Sequence, residues 1–243
     1  MKLALMGACA LAMSTLMAQA TTLTVYDGVK AGKQKFDATV AAADGVVKND
    51  VLDDLPYASD SIDRGDYTIT KNDGGTLYST TYGTLSGQVL GISPAGTGPG
   101  LGAFGSGITF TFKDKVNAFG FEVGDWATCC FLPTNLYISF DGGAPILVGS
   151  ALDPSEGQFP SQDGNGSIVY EIFVAAFDDT GSFGTVSFWG DGFGEYLVAG
   201  GQVKYALLDE GSLPPPSAVP LPAAGLLLMG GIAAAAGLRL RRR

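Results

Sequence analysis

The feature that most constrains this chain is a repeated alternation of apolar and polar residues with a period of two. In its clearest form, Ile108, Phe110 and Phe112 alternate with two threonines and a lysine, as expected of a strand with one buried face. The chain also has 36 glycines and almost no helical periodicity. We therefore predict an all-β fold, an antiparallel β-sandwich of jelly-roll type, over residues 21–210. The alternation recurs in residues 22–26, 116–123, 136–140, 170–174, 186–188 and 203–207, and shorter strand-like segments are residues 67–71, 77–81 and 88–92.

Three local predictions complete this outline. Residues 108–113 and 116–123, joined by a turn at Asp114 and Lys115, predict a β-hairpin with one buried face. Residues 33–43 predict a short helix, because apolar side chains recur there at helical spacing. Residues 48–66 are acidic and rich in turn formers, and we predict a loop.

The N-terminus has the three parts of a secretory signal peptide. Lys2 gives a positive start, residues 3–17 are apolar, and Ala18 and Ala20 occupy the small positions that signal peptidase reads. We predict that residues 1–20 are removed and that Thr21 becomes the mature N-terminus.

The C-terminus carries a short motif, an apolar run and a basic end, in that order. Residues 223–238 contain no charge, and at about 1.5 Å per residue they make a helix of roughly 24 Å, slightly short of a bilayer core. We predict a transmembrane helix there, after a proline-rich stalk at residues 211–218. The motif is Val219, Pro220, Leu221, Pro222 and Ala223, and the basic end is formed by Arg239, Arg241, Arg242 and Arg243.

This tail closely resembles the VPLPA-CTERM class of PEP-CTERM sorting signals of Gram-negative bacteria, over about residues 217–243. The resemblance implies transient anchoring in the inner membrane, recognition and cleavage by an exosortase, and delivery to the cell surface or the exopolysaccharide matrix. The alternative is an ordinary anchor that is kept. Residues 116–126 also resemble a hairpin common in the ectodomains of PEP-CTERM surface proteins, which implies a lectin-like shape but no ligand-binding residues.

Charge and composition exclude several functions. The segment between the two signals has 24 acidic and nine basic residues, so the charge of the mature protein is near −15. Nucleic acid is not an expected partner, because a phosphate backbone requires a basic surface. The chain has no histidine, which removes Ser-His-Asp and Cys-His nucleophilic sites and histidine-based zinc sites.

Two kinds of site remain conceivable among the acidic residues. A glycosidase works with two carboxylates, and Glu122, Asp125 and Glu171 are the candidates, although exposure on the polar faces of strands is the simpler interpretation. No cofactor is otherwise expected, but a structural calcium could use acidic turns. The residues considered for calcium are Asp163, Asp178, Asp179 and Asp191.

Cys129 and Cys130 are adjacent in a chain expected to reach an oxidising compartment. We predict a vicinal disulfide between them, with free buried thiols or an intermolecular bridge as the alternatives.

Trp126, Phe131 and Trp189 could stack on sugars, or they could pack in the core or at the rim of the sandwich.

Taken together, the sequence predicts a non-catalytic surface or matrix protein, either structural or weakly glycan-binding, that associates with exopolysaccharide. The alternative is a carbohydrate-active hydrolase.

Overall fold

The structure, a computed structural model, describes residues 22–93, 100–128, 132–178, 180–190 and 196–213. Within these ranges there are sixteen strands, one α-helix and two short 3-10 helices, at Gly100–Ser106 and Pro154–Gly157. In chain order the helix and strands are β1 (Thr22–Gly28), α1 (Val29–Ala42), β2 (Lys48–Val51), β3 (Ala58–Ser59), β4 (Ser61–Asp63), β5 (Tyr67–Lys71), β6 (Leu77–Thr80), β7 (Val89–Ile92), β8 (Ile108–Val116), β9 (Ala118–Gly124), β10 (Thr134–Phe140), β11 (Ile146–Ala151), β12 (Phe159–Pro160), β13 (Ile168–Val169), β14 (Glu171–Phe177), β15 (Phe183–Gly190) and β16 (Leu197–Ala206).

The strands form two large sheets and a two-stranded ribbon of β12 and β13. The eight-stranded sheet has the order β1-β14-β9-β16-β7-β6-β3, and β2 pairs with the second half of β16. The six-stranded sheet has the order β11-β10-β15-β8-β5-β4. All pairs in the described part of the chain are antiparallel. The predicted antiparallel β architecture is therefore confirmed.

The core lies between the two sheets and is rich in phenylalanine. Phe110 of β8 contacts Phe119 and Phe121 of β9 at ring-centroid distances of 5.0 and 5.5 Å. Phe121 also contacts Phe188 of β15 at 4.9 Å. All four rings are fully buried, and each such side chain contributes about 1.5–3 kcal/mol of hydrophobic stabilisation. The sequence alternation thus marks the inward faces of both sheets.

The predicted hairpin at residues 108–123 is wrong, because its two strands lie in different sheets. β8 pairs with β5 and β15, whereas β9 pairs with β14 and β16. The chain crosses between the sheets at Asn117, whose buried side-chain amide bonds to both the N–H (2.7 Å) and the carbonyl (2.9 Å) of Leu208. The two phenylalanine faces therefore meet across the core instead of lying side by side.

The predicted helix is confirmed as α1, which begins four residues earlier than expected. It covers the outer face of the eight-stranded sheet, where Phe36 contacts Phe173 and Phe177 of β14. The loop predicted at residues 48–66 is wrong in part, since β2, β3 and β4 lie within it. These three short strands are defined by backbone pairing and not by an apolar pattern.

Several predictions fall outside the described residues. These are the signal peptide, most of the stalk, the sorting motif, the span at 223–238 and the basic end, as well as Cys129 and Cys130. In the ranges that the structure does describe, no helix combines the length and apolar character needed to cross a membrane.

Candidate functional site

Glu122, one candidate catalytic acid, is fully buried on the outer face of β9, so the expectation that it is exposed is wrong. Its Oε1 accepts hydrogen bonds from Lys33 Nζ (2.7 Å) and Ser86 Oγ (2.9 Å), and its Oε2 accepts one from the backbone N–H of Ser86 (2.6 Å). Lys33 lies on α1, and Ser86 lies in the segment between β6 and β7. Glu122 therefore joins a helix, a loop and a sheet, and it is closed to a polymer substrate.

Glu171, the first residue of β14, is buried in the same way and is likewise not exposed on a polar face. It accepts hydrogen bonds from the backbone N–H (2.6 Å) and the hydroxyl of Thr84. Thr84 and Ser86 flank Leu85, which packs in a small apolar cluster with Val29, Val89 and Val198. The two glutamates and this cluster hold residues 81–88, which we call the clamp loop, against the outer face of the eight-stranded sheet.

Asp125 is the remaining candidate acid, and it is only half-buried. It follows β9 with a left-handed backbone (φ 61°), and its Oδ1 accepts a hydrogen bond from the Tyr82 hydroxyl at 3.1 Å. Burial raises the pKa of Asp125, while the hydrogen bonds from Tyr82 and Thr128 oppose that rise. With Glu122 and Glu171 buried, the three candidate acids do not form the open pair of carboxylates that a glycosidase requires.

The two tryptophans predicted as sugar platforms are each only 1% exposed. Trp189 packs against Phe104 at 5.0 Å and is stacked on Tyr137 at 5.6 Å. Trp126 belongs to the main core. The sugar-stacking interpretation is therefore wrong for Trp126 and Trp189, and the packing alternative is confirmed; Phe131 lies outside the described residues.

A different aromatic surface lies on the outer face of the eight-stranded sheet. Gly124 of β9 is opposite Val198 of β16, and Val198 is opposite Gly91 of β7. Continuing the register of β6 and β7 places Tyr78 next to Gly91, and Tyr78 is in turn opposite Ala58 of β3. Two glycines therefore leave room above a row of residues that crosses five strands.

Two tyrosine rings occupy the space above these glycines. A Cβ on Gly124 would lie 2.6 Å from the ring of Tyr82, and a Cβ on Gly91 would lie 2.7 Å from the hydroxyl of Tyr196. Since real Cβ atoms do not approach other atoms so closely, glycine at these positions lets the rings lie on the sheet. Tyr82 is further held by its hydrogen bond to Asp125.

Tyr78 and Tyr57 extend the surface to the sheet edge, with ring centroids 5.7 Å apart. Tyr57, Tyr78 and Tyr196 are 74%, 52% and 43% exposed. Burial raises the pKa of Tyr196, and electrostatic interaction with Asp125 and Tyr57 raises it further. We call Tyr57, Tyr78, Tyr82 and Tyr196 the tyrosine row.

The tyrosine row has the properties of a binding surface. Exposed aromatic rings are energetically unfavourable in water, and contiguous patches of them mark interaction sites. Tyrosine offers a large, rigid apolar face and a hydroxyl at low entropic cost. Four inter-strand steps of about 4.8 Å give the row a length of roughly 19 Å, which suits an extended, amphipathic chain molecule.

Sequence reasoning missed the tyrosine row because its residues come from three separate stretches of the chain. The signal available was Tyr78, which occupies an outward position in the alternating strand at residues 77–80. Neither the pairing of β6 with β3 nor the position of the clamp loop can be read from the local pattern.

The acidic turns considered for calcium are partly described. Asp163 accepts hydrogen bonds from the Asn165 N–H (3.0 Å) and Ser161 Oγ (2.7 Å), which lower its pKa. Asp178 accepts hydrogen bonds from the N–H and the hydroxyl of Thr180. Asp179 and Asp191 lie outside the described residues. No group of three or more potential metal-ligating side chains is found in the ranges covered by the structure, and calcium binding stays a prediction.

Comparisons with known proteins give no family. No protein-family model matches the sequence, and no match was found among curated proteins. Among solved structures, a mutant of the family 29 carbohydrate-binding module CBM29-2 matches with a TM-score of 0.35 and 11% identity, over 71% of this chain and 99% of that one. A family 11 carbohydrate-binding module from Clostridium thermocellum, in complex with a beta-1,3-1,4-mixed-linked tetrasaccharide, matches with a TM-score of 0.19 and 12% identity, over 68% and 98%. TM-scores this low do not establish a shared fold, so the ligand of this chain has to be inferred from its own residues.

Proposed function

We propose that this chain is an exported, non-catalytic surface or matrix protein that binds a glycan through the tyrosine row. The observation that carries the proposal is the alignment of four tyrosines across neighbouring strands of one sheet, with Asp125 beside them. Sugar rings have an apolar face that packs on aromatic rings, and hydroxyl groups that bond to a carboxylate or a phenol. An extended polysaccharide is the ligand that fits a long, open row best.

The export part of the proposal is supported by the two terminal signals of the sequence. In this scheme signal peptidase removes residues 1–20, the span at residues 223–238 anchors the chain transiently in the inner membrane, and an exosortase cuts near the Val219–Ala223 motif. The lectin-like sandwich then resides at the cell surface or in the exopolysaccharide matrix.

Affinity electrophoresis tests the glycan part. The full-length protein, kept in a detergent without a sugar headgroup, is run through gels containing exopolysaccharide from the producing cells. We expect retardation, and Tyr57→Ala and Tyr78→Ala should each weaken binding about fivefold, since an exposed aromatic contact contributes about 1 kcal/mol. Phe104→Ala is the matched control, because Phe104 is an exposed ring in the 3-10 helix Gly100–Ser106, which packs against Trp189 of the other sheet. Equal retardation of all variants would place binding elsewhere.

Two further readouts separate the parts of the proposal. Incubation with the same polymer should generate no new reducing ends, and their accumulation would restore the hydrolase alternative. Intact-mass analysis of protein released from the producing cells should show a chain without Arg239 and Arg241–Arg243. A released chain that still carries those residues would mean that the tail is kept.

A further inference from the structure

A pocket lies at the other end of β16 from the tyrosine row. The row includes Tyr196, just before β16, whereas the pocket is lined by Tyr205 and Leu207 at the end of that strand. Ten strand residues at about 3.3 Å each separate the two sites by roughly 30 Å. The pocket has a volume of about 190 Å³. We call it the end pocket.

The floor of the end pocket is rigid. Phe112 and Tyr205 lie there, and their ring centroids are 5.4 Å apart. Both rings also contact the buried ring of Tyr67, at 5.4 and 5.8 Å. The Tyr205 hydroxyl donates a hydrogen bond of 3.0 Å to Asp66 Oδ2. The floor therefore keeps its shape without a ligand, which reduces the entropic cost of binding.

Two walls of the end pocket are apolar and exposed. Val46 is 80% exposed and Leu207 is 64% exposed, and both line the cavity. Large apolar side chains beside a concave surface favour a ligand with an apolar face.

The rim of the end pocket carries balanced charge in a strongly acidic protein. The charged side chains of the lining are Lys48, Lys115, Asp66 and Asp114, so the lining has no net charge. Lys48 Nζ donates to Asp66 Oδ2 at 2.6 Å, the same oxygen that accepts from Tyr205. Among the described side chains both donors bond to Oδ2, which leaves Oδ1 as an acceptor for a ligand. A neutral ligand rich in hydroxyl groups matches this rim better than an ion does.

We propose that the end pocket binds a single neutral pyranose ring, such as the end of a glycan chain. Val46 and Leu207 would contact the apolar face of the ring, while Asp66 and Lys115 would bond to its hydroxyl groups. The volume of about 190 Å³ is below the 300–1,000 Å³ of pockets for larger ligands, so the end pocket holds about one ring. This site is separate from the tyrosine row and does not depend on it.

Saturation-transfer NMR on the full-length protein tests the proposal. The probes are the methyl pyranosides of glucose, galactose and mannose, with sodium glucuronate as the charged comparison, in a detergent without a sugar headgroup. We expect transfer to at least one neutral glycoside, at least tenfold weaker binding in Leu207→Arg, and unchanged binding in Leu152→Arg, which alters a similarly exposed leucine outside the pocket. Val46→Arg provides a second blocking variant if Leu207→Arg does not fold.

Variants of both sites show which of them binds the glycosides. Tyr78→Ala should leave glycoside binding intact, because Tyr78 belongs to the row. No transfer to any neutral glycoside, binding that survives both blocking variants, or stronger binding of glucuronate would overturn the proposal, whether or not the tyrosine row binds polysaccharide.

Discussion

Glu122 and Glu171 are the residues whose surroundings decide between a binding protein and a hydrolase. In the sequence each is an acid on an alternating strand, and nothing in that pattern shows that α1 and the clamp loop cover the outer face of the sheet. Burial of a carboxylate requires compensation by hydrogen bonds or opposite charge. Lys33, Ser86 and Thr84 supply it, so the role of both acids is to position the clamp loop that carries Tyr82.

Removing Glu122 should destabilise the fold without any gain or loss of catalysis. Glu122→Ala leaves the N–H of Ser86 without its acceptor and removes the carboxylate that balances the mostly buried ammonium of Lys33, which keeps only the neutral acceptors Ser86 Oγ and Gln162 Oε1. We expect a loss of about 3 kcal/mol in the free energy of unfolding. Lys33→Met should restore part of that loss when combined with it. Urea unfolding of the two single variants and the double variant measures the coupling. Lys35→Met, on the same helix but with a side chain 65% exposed, should cost less than about 1 kcal/mol; additive effects of Glu122→Ala and Lys33→Met would contradict the pairing.

At the scale of elements, the sequence predicted strands well and their partners poorly. Residues 67–71 were predicted as a strand with the bounds that β5 has, and the helix around Phe36 was found, because both have a local apolar period. The prediction of a hairpin failed because Asp114 and Lys115, read as a turn, lie within β8. Two alternating segments with a polar pair between them are compatible both with a hairpin and with a crossing between sheets. The deciding interaction, Asn117 with Leu208, spans 91 positions, and no local pattern contains it.

Asn117 should be essential for that crossing. Asn117→Ala removes the side-chain amide that bonds to the N–H and the C=O of Leu208. Because this buried donor and acceptor both lose that partner, we expect the free energy of unfolding to fall by about 3 kcal/mol. Asn165→Ala is the control, because Asn165 is exposed in the loop before β13, and its loss should cost less than about 1 kcal/mol. Urea titration followed by tyrosine and tryptophan fluorescence gives both values. Similar midpoints for the two variants would show that Asn117 does not hold the crossing.

For the whole molecule, two sheets must stay together while one of them presents a ligand surface. Asp50 of β2, in the eight-stranded sheet, accepts hydrogen bonds from Arg64 (2.7 and 2.9 Å) and from Tyr67 of β5 (2.6 Å), in the six-stranded sheet. Composition and the terminal signals predicted an acidic, exported domain of this class. They could not predict that Asp50 links the two sheets, because residues 48–66 have no apolar period.

The hydrogen bonds of Asp50 with Arg64 and Tyr67 should make the stability of the fold depend on pH in acidic solution. Burial alone would raise the pKa of Asp50, but the hydrogen bonds from Arg64 and Tyr67 outweigh it, so the folded pKa lies below its usual 3.8. Such a carboxyl stabilises the fold above the unfolded-state pKa, and the contribution is lost as pH falls through the folded pKa. Asp50→Asn should therefore be less stable than the wild type near pH 7. The difference between their free energies of unfolding should become smaller below about pH 4. Urea unfolding across this range tests the prediction, with Asp209→Asn as the control, because Asp209 is exposed and lies outside the Arg64 network. A stability difference that stays constant into acid would contradict the assignment.

The most direct test of the tyrosine row is to observe its rings during ligand binding. The full-length Leu207→Arg variant, with the end pocket blocked, is labelled with carbon-13 at its nine tyrosine rings and assigned by single Tyr→Phe substitutions. It is then titrated with oligosaccharides from partial hydrolysis of the exopolysaccharide. We predict that the signals of Tyr57, Tyr78, Tyr82 and Tyr196 shift together and saturably, while those of Tyr67 and Tyr137 stay in place. Saturable binding that leaves the four signals of the tyrosine row unmoved would contradict the account.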